Sequence, residues 1–184
     1  MPVRARRRSR LLIAAVLALA AGCGEGRLIF DVDVYSFLKG VGQDSVPYLA
    51  PSPLPDTIPV QQVNGLVTGL GSSAVESVTV SGSVDYVNAT GSGTVGLKIY
   101  FDTVATVYAD TPAVVVTPVA VTPGATSTTP FQGTVPAILN QRLLNTKIFV
   151  GMRVIATATS GTVTGKARLT ALRLRIVVQD NLAP

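Results

Sequence analysis

The sequence predicts an all-β fold, an immunoglobulin-like antiparallel β-sandwich of about 7–9 strands with one short helix near 136–145. A small β-barrel is the alternative. Three observations predict it. Val, Thr, Ala, Gly and Ser dominate and only 14% of residues are charged, which is strand and turn composition rather than helix composition. Apolar residues recur with a period of two through several stretches. Turn signals separate those stretches at intervals of roughly ten residues.

The elements follow in order. Residues 27–37 alternate, with Leu28, Phe30, Val32 and Val34 on one face and Asp31 and Asp33 on the other, so a half-buried strand is expected. Residues 46–59 carry Pro47, Pro51, Pro53, Pro55 and Pro59, which favours an extended polyproline-like crossing. Residues 74–87 and 94–102 alternate again, the first through Val78, Val80, Val84 and Tyr86, the second through Val95, Leu97, Ile99 and Phe101. Between them, Asn88 to Gly93 reads as a hairpin loop. Residues 104–108 and 113–121 supply two short strands. Thr-Pro recurs at Pro112, Pro118, Pro123 and Pro130, and a proline removes a ladder donor, so these strands belong at sheet edges. Pro136 suits the first turn of a helix over 136–145, with Ile138, Leu139 and Leu143 toward the sheet. Residues 147–159 form a strand, Ser160-Gly161 a turn, and 162–178 the last strand.

That last strand changes phase. Lys166, Arg168 and Thr170 are polar at even positions, whereas Leu172, Leu174, Ile176 and Val178 are apolar at even positions. One face stays buried through the switch only with an extra residue, which predicts a β-bulge or a crossing between sheets near Thr170–Leu172.

The N-terminal region has a different pattern. Arg4, Arg6, Arg7, Arg8 and Arg10 precede an apolar stretch over 11–22, too short for a comfortable spanning helix, and the sole cysteine, Cys23, closes the run Leu19-Ala20-Ala21-Gly22-Cys23. This arrangement resembles a bacterial lipoprotein signal peptide with its lipobox. Ala20 stands where that motif favours Leu. The Arg7-Arg8 pair is followed by Ser9 and Arg10, which favours general secretion over a twin-arginine route. The resemblance implies cleavage after residue 22 and lipidation of Cys23 by a thioether-linked diacylglycerol and an amide-linked acyl chain, a stable anchor because it has more than one chain. It also implies a cell-envelope location, and Gly24 is permissive for the outer membrane if the cell is Gram-negative. Residues 23–26 are then a short tether and 27–184 a single domain, long enough for a substantial core.

Once the signal is set apart, the charge argument reverses. Five of the fifteen basic residues lie in it, leaving ten against ten acids, all beyond Cys23. A near-neutral domain with few aromatics and no tryptophan is not a nucleic-acid binder. With one cysteine, no intrachain disulfide forms.

Catalytic chemistry has few carriers. Histidine is absent, which removes the usual general base and the commonest transition-metal ligand. No GxSxG, HExxH or P-loop pattern occurs. No cofactor and no catalytic residue is expected. Asp31 and Asp33 lie about 7 Å apart on one strand face. They are solvated charges or, with loop acids Asp102, Asp110 or Asp180, part of a calcium site. Lys166, Arg168, Arg173 and Arg175 form either a solvated face with acidic cross-strand partners or a basic contact strip for anionic lipid or an acidic glycan.

The Val/Ser strand with its partner, the Thr-Pro strands, a short Leu-containing helix and the Gly161-Thr162-Val163-Thr164-Gly165 strand look like the late-embryogenesis-abundant type 2 domain across residues 60–178. That family's Asn-Pro after the early strand is missing here, since Asn88 is followed by Ala89. The resemblance implies a β-sandwich with no catalytic residues to transfer. The expected function is a lipid-anchored, non-enzymatic envelope module, either an interaction module that engages a protein partner or a structural one. The alternative is a ligand-binding lipoprotein for a glycan or an apolar small molecule.

Overall fold

The length of two strands organises the chain. In a computed structural model, which describes residues 26–51, 57–64, 74–137, 143 and 147–180, β4 runs Ala74–Asp102 and β7 runs Lys147–Asp180. They pair antiparallel from Ala74↔Gln179 to Asp102↔Phe149. The other strands are β1 (Gly26–Asp33), β2 (Ser45–Ala50), β3 (Gln61–Asn64), β5 (Val114–Val121) and β6 (Thr126–Thr134). β1, β2 and β3 pair with β7, while β5 and β6 pair with β4, giving one continuous seven-stranded antiparallel sheet. The helix α1 spans Val34–Gly40, and a 3-10 turn spans Val107–Ala109.

A straight strand of 29 residues would run about 95 Å, against a radius of gyration of about 15 Å for a domain of this size. The ladder therefore folds over on itself. Its register breaks between Asn88 and Gly93, opposite the Ser160–Thr164 stretch of β7. Gly91 and Gly161 both adopt a φ of 67° there, a region open to glycine at little cost. The first layer holds β1 and β2, the C-terminal half of β7, the N-terminal half of β4, and β6. The second holds β3, the N-terminal half of β7, the C-terminal half of β4, and β5. Buried residues of both layers, among them Tyr86, Leu97, Ile99, Met152, Leu172 and Leu174, form a single core cluster. The sandwich expected from the sequence is this folded sheet.

Alternation governs which side chains enter that core. On β4 the buried positions are even at Val78, Val80, Val84 and Tyr86, then odd at Val95, Leu97, Ile99 and Phe101. The corner absorbs the change of phase. On β7, Ser83 pairs with Ala171 and Val84 with Leu169, so Thr170 is the extra residue of a bulge, where the phase switch predicts one. Its hydroxyl donates to the Ser83 carbonyl at 3.2 Å.

The corner is held by polar contacts. Asn88 is 2% exposed; its Nδ2 donates to the Gly91 carbonyl at 2.8 Å, and its Oδ1 accepts from the Tyr48 hydroxyl at 3.3 Å. The Asn88 backbone N–H donates to the Ala125 carbonyl, tying in the turn between β5 and β6. Thr90 Oγ1 donates to the Thr162 carbonyl at 2.8 Å. Burial pushes the Tyr48 phenol up to about 12.

Several local expectations are corrected. Asn88 to Gly93 is a bend within β4, not a hairpin, because the segments on either side both pair with β7. Likewise 147–180 is one strand rather than two. The strand expected over 27–37 stops at Asp33, whose carboxylate accepts from the Ser36 N–H and caps α1. Alternation through Val34 continued the strand pattern on paper, yet Val34 and Leu38, four residues apart, are the residues α1 buries. Part of the proline-rich crossing over 46–59 is β2, an edge strand that tolerates Pro47 because it pairs on one side only. Residues 104–108 lead into the 3-10 turn instead of a strand. Of the helix expected over 136–145, residues 138–142 and 144–145 lie outside the described residues, and so do Cys23 and the signal segment. Pro118 and Pro130 lie on β5 and β6, each paired with β4 alone, as edge strands should be.

Two predictions follow from this geometry. Deleting Thr170 removes the surplus residue, so Leu169 and Leu172 come to alternate regularly and Arg173 and Arg175 stay outward. That variant is expected to remain soluble and folded, with a urea midpoint near the parent's. Inserting a second residue beside Thr170 instead turns Arg173 and Arg175 inward and is expected to abolish soluble folded protein. Thr170→Ala keeps the residue count and should cost only about 1 kcal/mol in urea denaturation. Gly124→Ala and Gly91→Ala share a positive φ, but a Cβ at Gly124 meets open space, whereas one at Gly91 would lie 2.5 Å from the Thr162 carbonyl oxygen. Gly91→Ala should therefore lose about 1–3 kcal/mol more than Gly124→Ala.

Candidate functional site

The outer face of the first layer gathers most of the side chains singled out in the sequence. Without the Thr170 bulge, Lys166 and Arg168 would lie on the face opposite Arg173 and Arg175. With it, all four are exposed on one side of β7, while Ala167, Leu169, Leu172 and Leu174 fill the core. The register sets their neighbours. One row runs Asp31, Arg175, Thr79, Thr134 across β1, β7, β4 and β6, and the next runs Asp33, Arg173, Ser81, Gln132. Beyond the bulge lie Ala171, Ser83 and Pro130, then Arg168, Asp85 and Thr128.

These basic residues are not equivalent. Arg168 donates to Asp85 Oδ2 at 2.9 Å, and Asp85 Oδ1 accepts from the Thr128 hydroxyl at 2.8 Å. The Arg168 guanidinium and then the Thr128 hydroxyl hold the Asp85 carboxyl below the usual carboxylate range. Among the described residues, Arg173 and Arg175 enter no hydrogen bond or ion pair. They stand two residues apart, about 7 Å along the strand.

The two acids of β1 are placed by the same register. Asp33 accepts from the Ser36 hydroxyl at 2.7 Å, and that bond, with Arg173 nearby, lowers its pKa. Asp31 is opposite Arg175. Among the described residues no group of three metal-ligating side chains forms. Asp102 and Asp110, offered as partners in a calcium site, lie at the end of β4 and after the 3-10 turn, beyond the other layer's strands.

Two adjoining depressions cross this face. One, of about 510 Å3, is bounded by Pro130, Phe131 and Ala171 and reaches Arg173. The other, of about 420 Å3, reaches Asp31, Thr79 and Arg175. Ser81, Gln132 and Arg173 line both. Phe131 reaches this face only through its backbone: it shares the inward row of Gly82 and Leu172, and its ring packs on the core over Gly82, where a Cβ would clash with it. Two guanidinium forks beside hydroxyl and amide groups suit a carboxylate, sulfate or phosphate.

A second cluster was not legible in the sequence. On the second layer the Arg153 guanidinium lies 5.9 Å from the Tyr100 ring centre and 5.1 Å from that of Tyr108, and the two rings meet edge to face at 5.3 Å. The Tyr108 hydroxyl donates to the Ile58 carbonyl at 2.7 Å and accepts from the Met152 N–H at 3.1 Å. Its ring lies over Gly151. This arrangement pins the segment around the 3-10 turn to the sheet. A glycine and a tyrosine more than forty residues apart leave no local signal of such a contact.

No protein-family profile and no curated protein matches the chain. Among solved structures, it is similar to that of infectious bursal disease virus Gx strain, with 11% identity and a TM-score of 0.44 over 87% of this chain and 39% of that one. For the Gt strain the identity is 14% and the TM-score 0.43, again over 87% of this chain and 39% of that one. This chain thus spans about two fifths of the length of these viral chains.

The Asp85 cluster makes a pH prediction. A carboxyl whose folded pKa lies below its unfolded value of about 3.9 adds stability above that pH and loses it as pH falls through the folded value. Asp85→Asn is expected to lower the urea midpoint at pH 7, and its deficit relative to the parent should narrow below about pH 4. A deficit constant from pH 7 to pH 2 would contradict the assignment.

Proposed function

We propose that this chain is a lipid-anchored, non-enzymatic β-sandwich of the cell envelope, acting as an interaction module through the outer face of its first layer. The observation that carries the reading is the bulge at Thr170, which collects Lys166, Arg168, Arg173 and Arg175 on one exposed face while the opposite face is sealed by core. β1 begins at Gly26, three residues after Cys23, so acyl chains on Cys23 would keep the start of β1 within about 10 Å of the membrane surface. The non-enzymatic part rests on the sequence, with no histidine and its single thiol assigned to lipid. The partner is an envelope protein in this reading. A second reading, a ligand-binding lipoprotein for a glycan, is favoured by the groove that joins apolar, hydroxyl and guanidinium groups on the same face.

The anchor is tested by expressing the full chain in an exporting bacterial host fed an alkyne-tagged fatty acid. The parent chain is expected to take up label and to leave the membrane fraction only with detergent. Cys23→Ala is expected to remain unlabelled. An unlabelled, freely soluble parent chain would remove the lipoprotein reading.

A further inference from the structure

The two depressions on the first layer form one groove, because they share Ser81, Gln132 and Arg173. Its chemistry changes along its length. Exposed Pro130 and half-buried Ala171 make an apolar end. Ser81, Ser83 and Gln132 put hydroxyl and amide groups in the middle. Arg173 and Arg175 make a cationic end, with the Asp31 carboxylate on its rim. From Ala171 to Arg175 the groove follows β7 for about 13 Å, and it crosses β7, β4 and β6, about 10 Å in width.

The geometry points to a carboxylate-bearing saccharide as the ligand of this groove. This inference rests on reading the outer face as a binding surface. A sugar ring offers an apolar C–H face to Pro130 and Ala171, hydroxyls to Ser81, Ser83 and Gln132, and a carboxylate to the two guanidinium forks, which donate to such a group in two parallel bonds. Arg173 and Arg175 are available because, unlike Arg168, they enter no ion pair among the described residues. Free inorganic phosphate would use the arginines and leave the apolar end idle. An anionic membrane surface would meet Asp31, Asp33 and Asp85 together with the four basic residues, so the face offers little net attraction.

The test is calorimetric titration of the full chain, purified in mild detergent, with oligogalacturonate and hyaluronan fragments and with their carboxyl-reduced counterparts. Inorganic phosphate and phosphatidylglycerol vesicles serve as competing ligands. The carboxylated fragments are expected to bind, and the reduced ones to bind about tenfold more weakly or not at all. The double variant Arg173→Ala/Arg175→Ala should lose about tenfold or more, whereas Lys98→Ala, on the second layer, should not change affinity. Asp31→Asn should tighten binding several-fold by removing a competing carboxylate, an effect that a purely structural role for Asp31 would not produce. Circular dichroism checks that each variant folds. The proposal is overturned if the reduced fragments bind equally well, if the double variant binds as the parent does, if no acidic saccharide binds, or if only phosphate or vesicles do. Acylation at Cys23 without saccharide binding would sink this inference alone. Saccharide binding by a chain with no acyl group would sink the anchor alone.

Discussion

The structure depends on one constraint: a β-ladder must keep the same face toward the core while it turns a corner. β4 and β7 are too long to lie flat within one domain, so their shared ladder bends where Gly91 and Gly161 reach positive φ. The register breaks there together change the parity of inward residues, and the sequence changes parity to match. The Asn88 side chain satisfies the backbone that the bend leaves unpaired, and Tyr48 in turn satisfies Asn88. Because burying a polar group without a partner costs about 1–3 kcal/mol, this network is what makes a buried corner tolerable.

The same constraint produces the candidate binding face. A strand of strict alternation would have placed Arg173 and Arg175 opposite Lys166 and Arg168. One surplus residue, Thr170, turns them to the same side and simultaneously returns Leu172, Leu174 and Ile176 to the core. Packing and surface chemistry are therefore linked through a single bulge. Among the described residues neither arginine forms an ion pair: their neighbours on β4, Thr79 and Ser81, carry hydroxyls, and the β1 carboxylates opposite them, Asp31 and Asp33, make no hydrogen bond to them. On the other side Asp33 is committed to capping α1.

Elements differ in how far they were legible. The edge prolines, the phase switch at Thr170 and the all-β class follow from period and propensity, which act over neighbouring residues. α1 was hidden because Val34 fits a strand pattern and a helix pattern equally well, and the Asp33 cap decides between them. The false hairpin at Asn88 to Gly93 has the same origin. Gly, Ser and Asn mark a departure from regular strand, but whether the chain reverses or merely bends is set by the partner strand some seventy residues away. The Tyr100, Tyr108 and Arg153 cluster depends on contacts between residues on different strands and loops, which no local pattern encodes.

For this protein, the sequence by itself determined the fold class, the edge positions of the proline-bearing strands, the need for a bulge near Thr170 and the absence of histidine chemistry. These follow from covalent geometry and side-chain period, which need no partner to be read. Tertiary structure alone decided that two apparent hairpins are one folded ladder, that Asp33 caps a helix, and that Arg168 is tied to Asp85 while Arg173 and Arg175, without an ion pair among the described residues, border a groove. Register decides such matters, because pairing one strand against another fixes which distant side chains become neighbours.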